Sequence, residues 1–76
     1  MIDNLSISIT LHEEELEGNK VFVAECVELG ISDFGDSIDE AIFNLKSGVN
    51  LLLEVAPEKK ILLQRTNPVL VTRVSL

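Results

Sequence analysis

The sequence predicts an α+β fold, an antiparallel β-β-β-α-β(β) sheet with one helix packed on one face, and three observations predict it. "LSISITLH" alternates apolar and polar residues, the mark of a strand with one covered face. "KVFVAECV" is apolar on both sides, as a strand in the middle of a sheet would be. From residue 38 the apolar spacing switches to three and four, and it holds until Pro57. With 76 residues the chain makes one domain, residues 1–76, close to the lower limit of what a single core supports.

In the first strand Leu5, Ile7, Ile9 and Leu11 share one face, and Ser6, Ser8, Thr10 and His12 share the other. Gly18 and Asn19, which tolerate positive φ, close a hairpin into the second strand. Gly30 breaks the second apolar run, and "ISDF" forms a short third strand before Gly35. Gly35 is expected to take a left-handed turn, after which Asp36 or Ser37 caps the helix. Ser37 and Glu40 stand at capping-box spacing, and Asp36, Asp39 and Glu40 suit the positive end of a helix dipole. Pro57 ends the helix near residue 55.

Ile38, Ala41, Ile42, Leu45, Val49, Leu52, Leu53 and Ala56 form one stripe along that helix. Gly48 lies at its edge, where close approach to another backbone would explain a residue that helices disfavour. Phe43 and Leu51 project from the opposite side and are read as an oligomer interface. After Pro57, "EKK" is a polar connector. "ILLQR" and "VLVTRVSL" then make two strands, or one strand preceded by an extended arm.

Charge is the strongest clue to class. Thirteen acidic and six basic residues give a net charge of -7, which opposes direct nucleic-acid binding. Two readings of the charge remain, solubility and a basic partner. Glu13, Glu14, Glu15 and Glu17 cluster in "HEEELEG", Glu25 and Glu28 follow, and these six are the expected partner-binding residues. With one cysteine, no internal disulfide can form, and a small unstapled core favours self-association as a dimer or higher oligomer. No apolar run reaches the length of a membrane span, and no leader pattern opens the chain, so a cytoplasmic setting without membrane contact is expected.

Reactive groups are few. His12 is the only histidine, on the polar face of a strand with no nucleophile placed beside it, and reads as a surface side chain. Cys26 sits in an apolar strand with no cation nearby in sequence and reads as packing. Asp33, Asp36, Asp39 and Glu40 are candidates to gather a divalent cation, but helix capping accounts for the last three. No paired-cysteine, calcium-loop or phosphate-loop pattern is present. The expectation is a chain with no catalytic residue, metal or cofactor: a binder, not an enzyme.

Residues 22–54 resemble the HicB-like family of antitoxins and its stand-alone relatives. Phe22, Ala24-Glu25, Glu28-Leu29, Gly30, Gly35-Asp36-Ser37, Glu40-Ala41 and Asn44-Leu45 follow the family pattern in order. The match covers a little under half the chain. Val27 stands where the family usually has proline, and the proline that often precedes Gly30 is absent. No helix-turn-helix or ribbon-helix-helix segment follows, so operator binding by this chain is not expected. The resemblance implies a partial ribonuclease H-like fold without catalytic carboxylates. It also implies a partner, a small basic HicA-type toxin that cleaves messenger RNA with a histidine and is neutralised when its active face is covered. Another reading is an orphan HicB-like domain that self-associates, with a structural or regulatory role and no surviving toxin.

Overall fold

The structure is a computed structural model, and it describes residues 5–64 and 72–76. Three strands, β1 (Ile9–Leu16), β2 (Asn19–Cys26) and β3 (Ile31–Gly35), form an antiparallel sheet in the order β1-β2-β3. The helix α1 (Ile38–Val55) then packs on one face, mainly over β2 and β3. The architecture is α+β, a three-stranded antiparallel sheet followed by a helix packed against it. The strand that is apolar on both sides is the central one, as its composition predicts.

The hairpin differs in detail from the sequence reading. Its turn is Glu17-Gly18, with φ of 51° and 84°, and Asn19 is already the first residue of β2. Two successive positive φ values are what a two-residue hairpin turn needs to match the strand twist. Leu16 therefore pairs with Asn19, and the ladder runs back to Ile9 opposite Cys26. This register carries β1 four residues further than "LSISITLH" suggests, through the charged "EEEL". Residues 5–8 continue outside the assigned strand, with the Ser8 carbonyl accepting from the Val27 N–H at 2.9 Å, and place Leu5 and Ile7 against the core.

Between β2 and β3 the chain turns through Gly30, whose φ is 68° and whose N–H donates to the Cys26 carbonyl at 2.9 Å. At the next junction the expectation of a left-handed Gly35 is corrected, because only Gly18 and Gly30 are glycines with positive φ among the described residues. Close packing is the reason for Gly35. A Cβ there would stand 2.6 Å from the Ala41 backbone nitrogen and 2.9 Å from the Glu40 carbonyl carbon. The glycine lets the end of β3 lie directly against the first turn of α1.

Ser37 is the N-cap, and its hydroxyl accepts from the Glu40 N–H at 3.1 Å. The Glu40 carboxylate reaches back to the Asp36 N–H at 2.8 Å. Two backbone donors at the helix entrance are thereby satisfied, which is the energetic content of a capping box. Along α1 the buried residues are Ala41, Leu45, Val49 and Leu53, at the predicted spacing. They meet Ala24 and Cys26 of β2, with Phe22, Ile31, Leu29, Ile9, Ile7 and Leu5 closing the sides. Ile38 sits in the first turn beyond the sheet and is exposed.

Gly48 departs from expectation. Nothing lies within 4 Å of where its Cβ would be, so no neighbouring backbone explains it within the described chain. Gly48→Ala is expected to raise stability by about 1 kcal/mol, the helix-propensity difference between the two residues. Urea titration of both proteins measures it; a loss of stability would mean that the site is not open.

Beyond the helix the prediction of strand in "ILLQR" is also corrected. Pro57–Leu63 is a 3-10 helix with Pro57 in its first turn. Pro57 lacks the N–H that would continue α1, and its fixed φ starts a new helical segment instead. The segment turns Leu63 inward, where it is 2% exposed, and the Leu63 carbonyl accepts from the Ser6 N–H at 3.2 Å. Thr72 to Leu76 carry no secondary structure, and the remainder of the expected last strand lies outside the described residues. No helix among the described residues is long and apolar enough to cross a membrane.

Candidate functional site

Strand alternation sorts the predicted partner-binding glutamates. On the face turned from α1, the register aligns Thr10 with Glu25 and Ser32, and His12 with Val23 and Phe34. Glu14 lies opposite Val21, and Leu16 opposite Asn19. Leu16, Val21, Val23 and Phe34 therefore form an apolar centre, with Glu14 and Glu25 on either side of it. Phe34 is 55% exposed and Leu16 is 47% exposed. A shallow concavity of about 370 Å³ opens there, lined by Glu14, Leu16, Val23, Ser32, Asp33 and Phe34.

The six glutamates do not share one surface. Glu14 and Glu25 lie on this outer face. Glu13 and Glu15 fall on the opposite side of the hairpin with Lys20, because side chains alternate along a strand. Lys20 Nζ stands 3.5 Å from Glu13 Oε2. Glu17 is at the turn. Glu28 differs from the other five, since its carboxylate turns into the fold. Its Oε1 accepts from the Ser8 N–H at 2.8 Å and from the Cys26 thiol at 3.8 Å.

This inward contact changes both partners. Burial by itself would raise the Glu28 carboxyl. The hydrogen bonds from the Ser8 and Glu28 backbone N–H groups, the Ser8 side chain and the Cys26 thiol outweigh burial and hold its pKa below the usual glutamate value. Burial pushes the Cys26 thiol up, the Glu28 charge adds to this, and the Leu29 N–H only partly opposes it. A buried thiol with a raised pKa is a packing group and a poor nucleophile.

A pH prediction follows with a definite sign. A glutamate with a lowered folded pKa contributes stability that is fully present above its unfolded value of about 4.3 and is lost as pH falls through the folded pKa. Glu28→Gln is expected to cost about 1 kcal/mol at pH 7, and the gap from the parent should shrink in acid. Denaturant midpoints for both proteins at neutral and acid pH report this; an equal gap at both would refute it.

His12 lies at the surface with Nε2 2.6 Å from Glu14 Oε2. Asp36 and Glu40 meet at the helix entrance through the Asp36 N–H, and Asp33 uses Oδ1 to accept from the Phe34 N–H at 2.8 Å. Among the described residues no group of three or more His, Cys, Asp or Glu is placed to hold a metal ion. Phe43 and Leu51 stand on the solvent side of α1, 68% and 62% exposed.

Sequence reasoning did not single out Leu16, Val23 or Phe34. The signal was present in β2, whose second apolar side had to be covered or presented, and β3 places Phe34 beside it. A second cleft, about 210 Å³, lies between residues 5–9, α1 and Leu63; its walls are largely apolar, with Ser6, Lys46 and Asn50 among them. In comparisons with protein-family models, curated proteins and solved structures, nothing matched this chain.

Proposed function

We propose that this domain is an antitoxin-like binding protein of the HicB-like type, with a partial ribonuclease H-like fold, that sequesters a small basic HicA-type ribonuclease. The outer face of the sheet carries the reading. It leaves an apolar centre at Leu16, Val23 and Phe34 uncovered by the helix, with Glu14 and Glu25 flanking it. A basic, RNA-binding surface is the complement of such a face. Carboxylates attract the cations that otherwise hold phosphates, and the apolar centre adds affinity once water is expelled. The chain works by occupying the toxin's surface and blocking RNA, with no chemistry of its own.

The motif residues that carry the family resemblance support this reading through their local roles. Gly35, Asp36, Ser37 and Glu40 build the entrance of α1, and Asn44 Nδ2 donates to the Phe34 carbonyl at 2.9 Å. They hold β3, and with it Phe34, in place. The alternative of an orphan self-associating domain draws its support from the exposure of Phe43 and Leu51.

The test is whether a small basic, histidine-containing protein is encoded beside this chain and is bound by it, read as inhibition of that protein's RNA cleavage. Full inhibition at equimolar protein is expected. Charge reversal in a Glu14→Lys/Glu25→Lys double variant is expected to weaken binding at least about tenfold. No binding at low salt, or a double variant that inhibits as well as the parent, would overturn the proposal.

A further inference from the structure

We infer that the solvent side of α1 between Phe43 and Leu51 docks against the same surface of a second copy of this chain, with the two helices antiparallel. The inference is separate from the proposed partner, which uses the other side of the molecule.

Charge selects the occupant. Each copy carries a net charge of -7, so any symmetric contact must bring together surfaces that do not repel. Between Glu40 and Glu54 the helix holds a single charged residue, Lys46. Residues 41–53 thus carry no acid in a strongly acidic chain. Phe43 and Leu51 stand out from it, each more than 60% exposed.

The other surfaces are less suited to a second copy. The outer face of the sheet presents Glu14 and Glu25, and two such faces would repel. The exposed edge of β3 is closed at Phe34, whose N–H donates to Asp33 Oδ1 and whose carbonyl accepts from Asn44 Nδ2. With both Phe34 backbone groups already bonded, this short edge offers less for pairing. The β1 strand carries Glu13, Glu14 and Glu15 in succession, so pairing two copies along it sets like charges side by side.

Spacing on α1 fits a twofold contact. Phe43 and Leu51 are about two turns apart, roughly 12 Å along the axis. In an antiparallel pair each Phe43 meets the other copy's Leu51, and the axis passes through Ser47 midway between them. A small residue at a crossing point lets two helices approach closely, and open space beside Gly48 leaves the flank unobstructed. The Ser47 hydroxyl donates to the Phe43 carbonyl at 3.1 Å, so covering it leaves no donor unpaired. Crossed helices diverge from this centre, which keeps Glu40 and Glu54 of the two copies apart.

Salt separates this contact from binding of a basic partner. Two acidic copies repel at long range, so screening strengthens their dimer, whereas screening weakens a complex of opposite charges. Sedimentation velocity of the full chain at about 0.05 and 0.5 M sodium chloride tests the sign. A dimer more populated at the higher salt is expected. Phe43→Glu and Leu51→Gln are each expected to weaken it by roughly a hundredfold and tenfold, respectively, with unchanged melting temperatures. Ser47→Cys is expected to form a disulfide-linked dimer under mild oxidation. A parent that stays monomeric at both salts, a dimer that survives both substitutions, or a Ser47→Cys chain that fails to cross-link within its dimer overturns the inference. So does unfolding of both the Phe43→Glu and Leu51→Gln proteins, since those side chains would then belong to the core.

Discussion

Gly35→Ala is expected to destabilise the domain by about 3 kcal/mol, the upper range for forcing a group into packed surroundings. The methyl would lie 2.6 Å from the Ala41 nitrogen and 2.9 Å from the Glu40 carbonyl carbon, and neither is a side-chain end that can swing aside. Relief requires β3 and the first turn of α1 to separate. That movement pulls Asn44 from the Phe34 carbonyl and disturbs the Ser37 cap. A urea titration should show a lower midpoint, with a weaker helical circular-dichroism signal at any given denaturant concentration. A midpoint within error of the parent would mean that the junction is looser than described. The contrast with Gly48 is informative, because the same substitution 13 residues along the chain is expected to act in the opposite direction.

Truncating Leu45 to alanine is the second large effect, with an expected cost of about 3 to 4 kcal/mol. Leu45 is 1% exposed and lies in the core with Ala24, Cys26, Ala41 and Val49. Two of those neighbours are alanines with no side-chain length to collapse into the space, so much of the cavity would persist. A core of this size rarely supplies more than about 3 to 5 kcal/mol in total. The variant should therefore be largely unfolded at room temperature, as judged by lost amide dispersion in NMR spectra. Leu51→Ala, on the same helix but 62% exposed, should leave the monomer folded. If the two variants lost equal stability, the assignment of the helix faces would be wrong.

Both predictions bear on function through β3. Phe34 is presented on the outer face of the sheet because Gly35 seats the strand against α1 and Asn44 anchors its carbonyl. A loosened junction should therefore weaken partner binding in the proposed reading even where the glutamates are intact. The candidate surface is thus supported by the same contacts that hold the sheet to the helix.

The pairing of the strands settled their order, and the helix entrance chose Ser37 over Asp36 as the cap. The central strand, the helix from Ile38 to Val55 and the capping box at Ser37 and Glu40 were legible in the chain itself. These features depend on local signals: alternation along one strand, apolar spacing on one helix, and a hydroxyl three residues from the N–H it accepts. The turn after β1 was legible to within one residue, because Gly18 marks the place, while the ladder decides which neighbour joins it at positive φ. The 3-10 segment was missed because "ILL" reads as strand by composition, whereas Pro57 and the vacancy that Leu63 fills in the core direct the chain otherwise.

By itself the sequence determined the α+β class, the helix with its buried stripe, and an acidic character weighted to the first half of the chain. Tertiary structure alone decided that Glu28 turns inward to Ser8, 20 residues away, while Glu14 and Glu25 face outward beside Phe34. It also decided that Gly35 is required by contact and Gly48 is not. The physical reason is range. Backbone hydrogen bonding and side-chain periodicity act within a few residues, but the surroundings of a carboxylate or a glycine are set by whichever distant segment the fold brings against it.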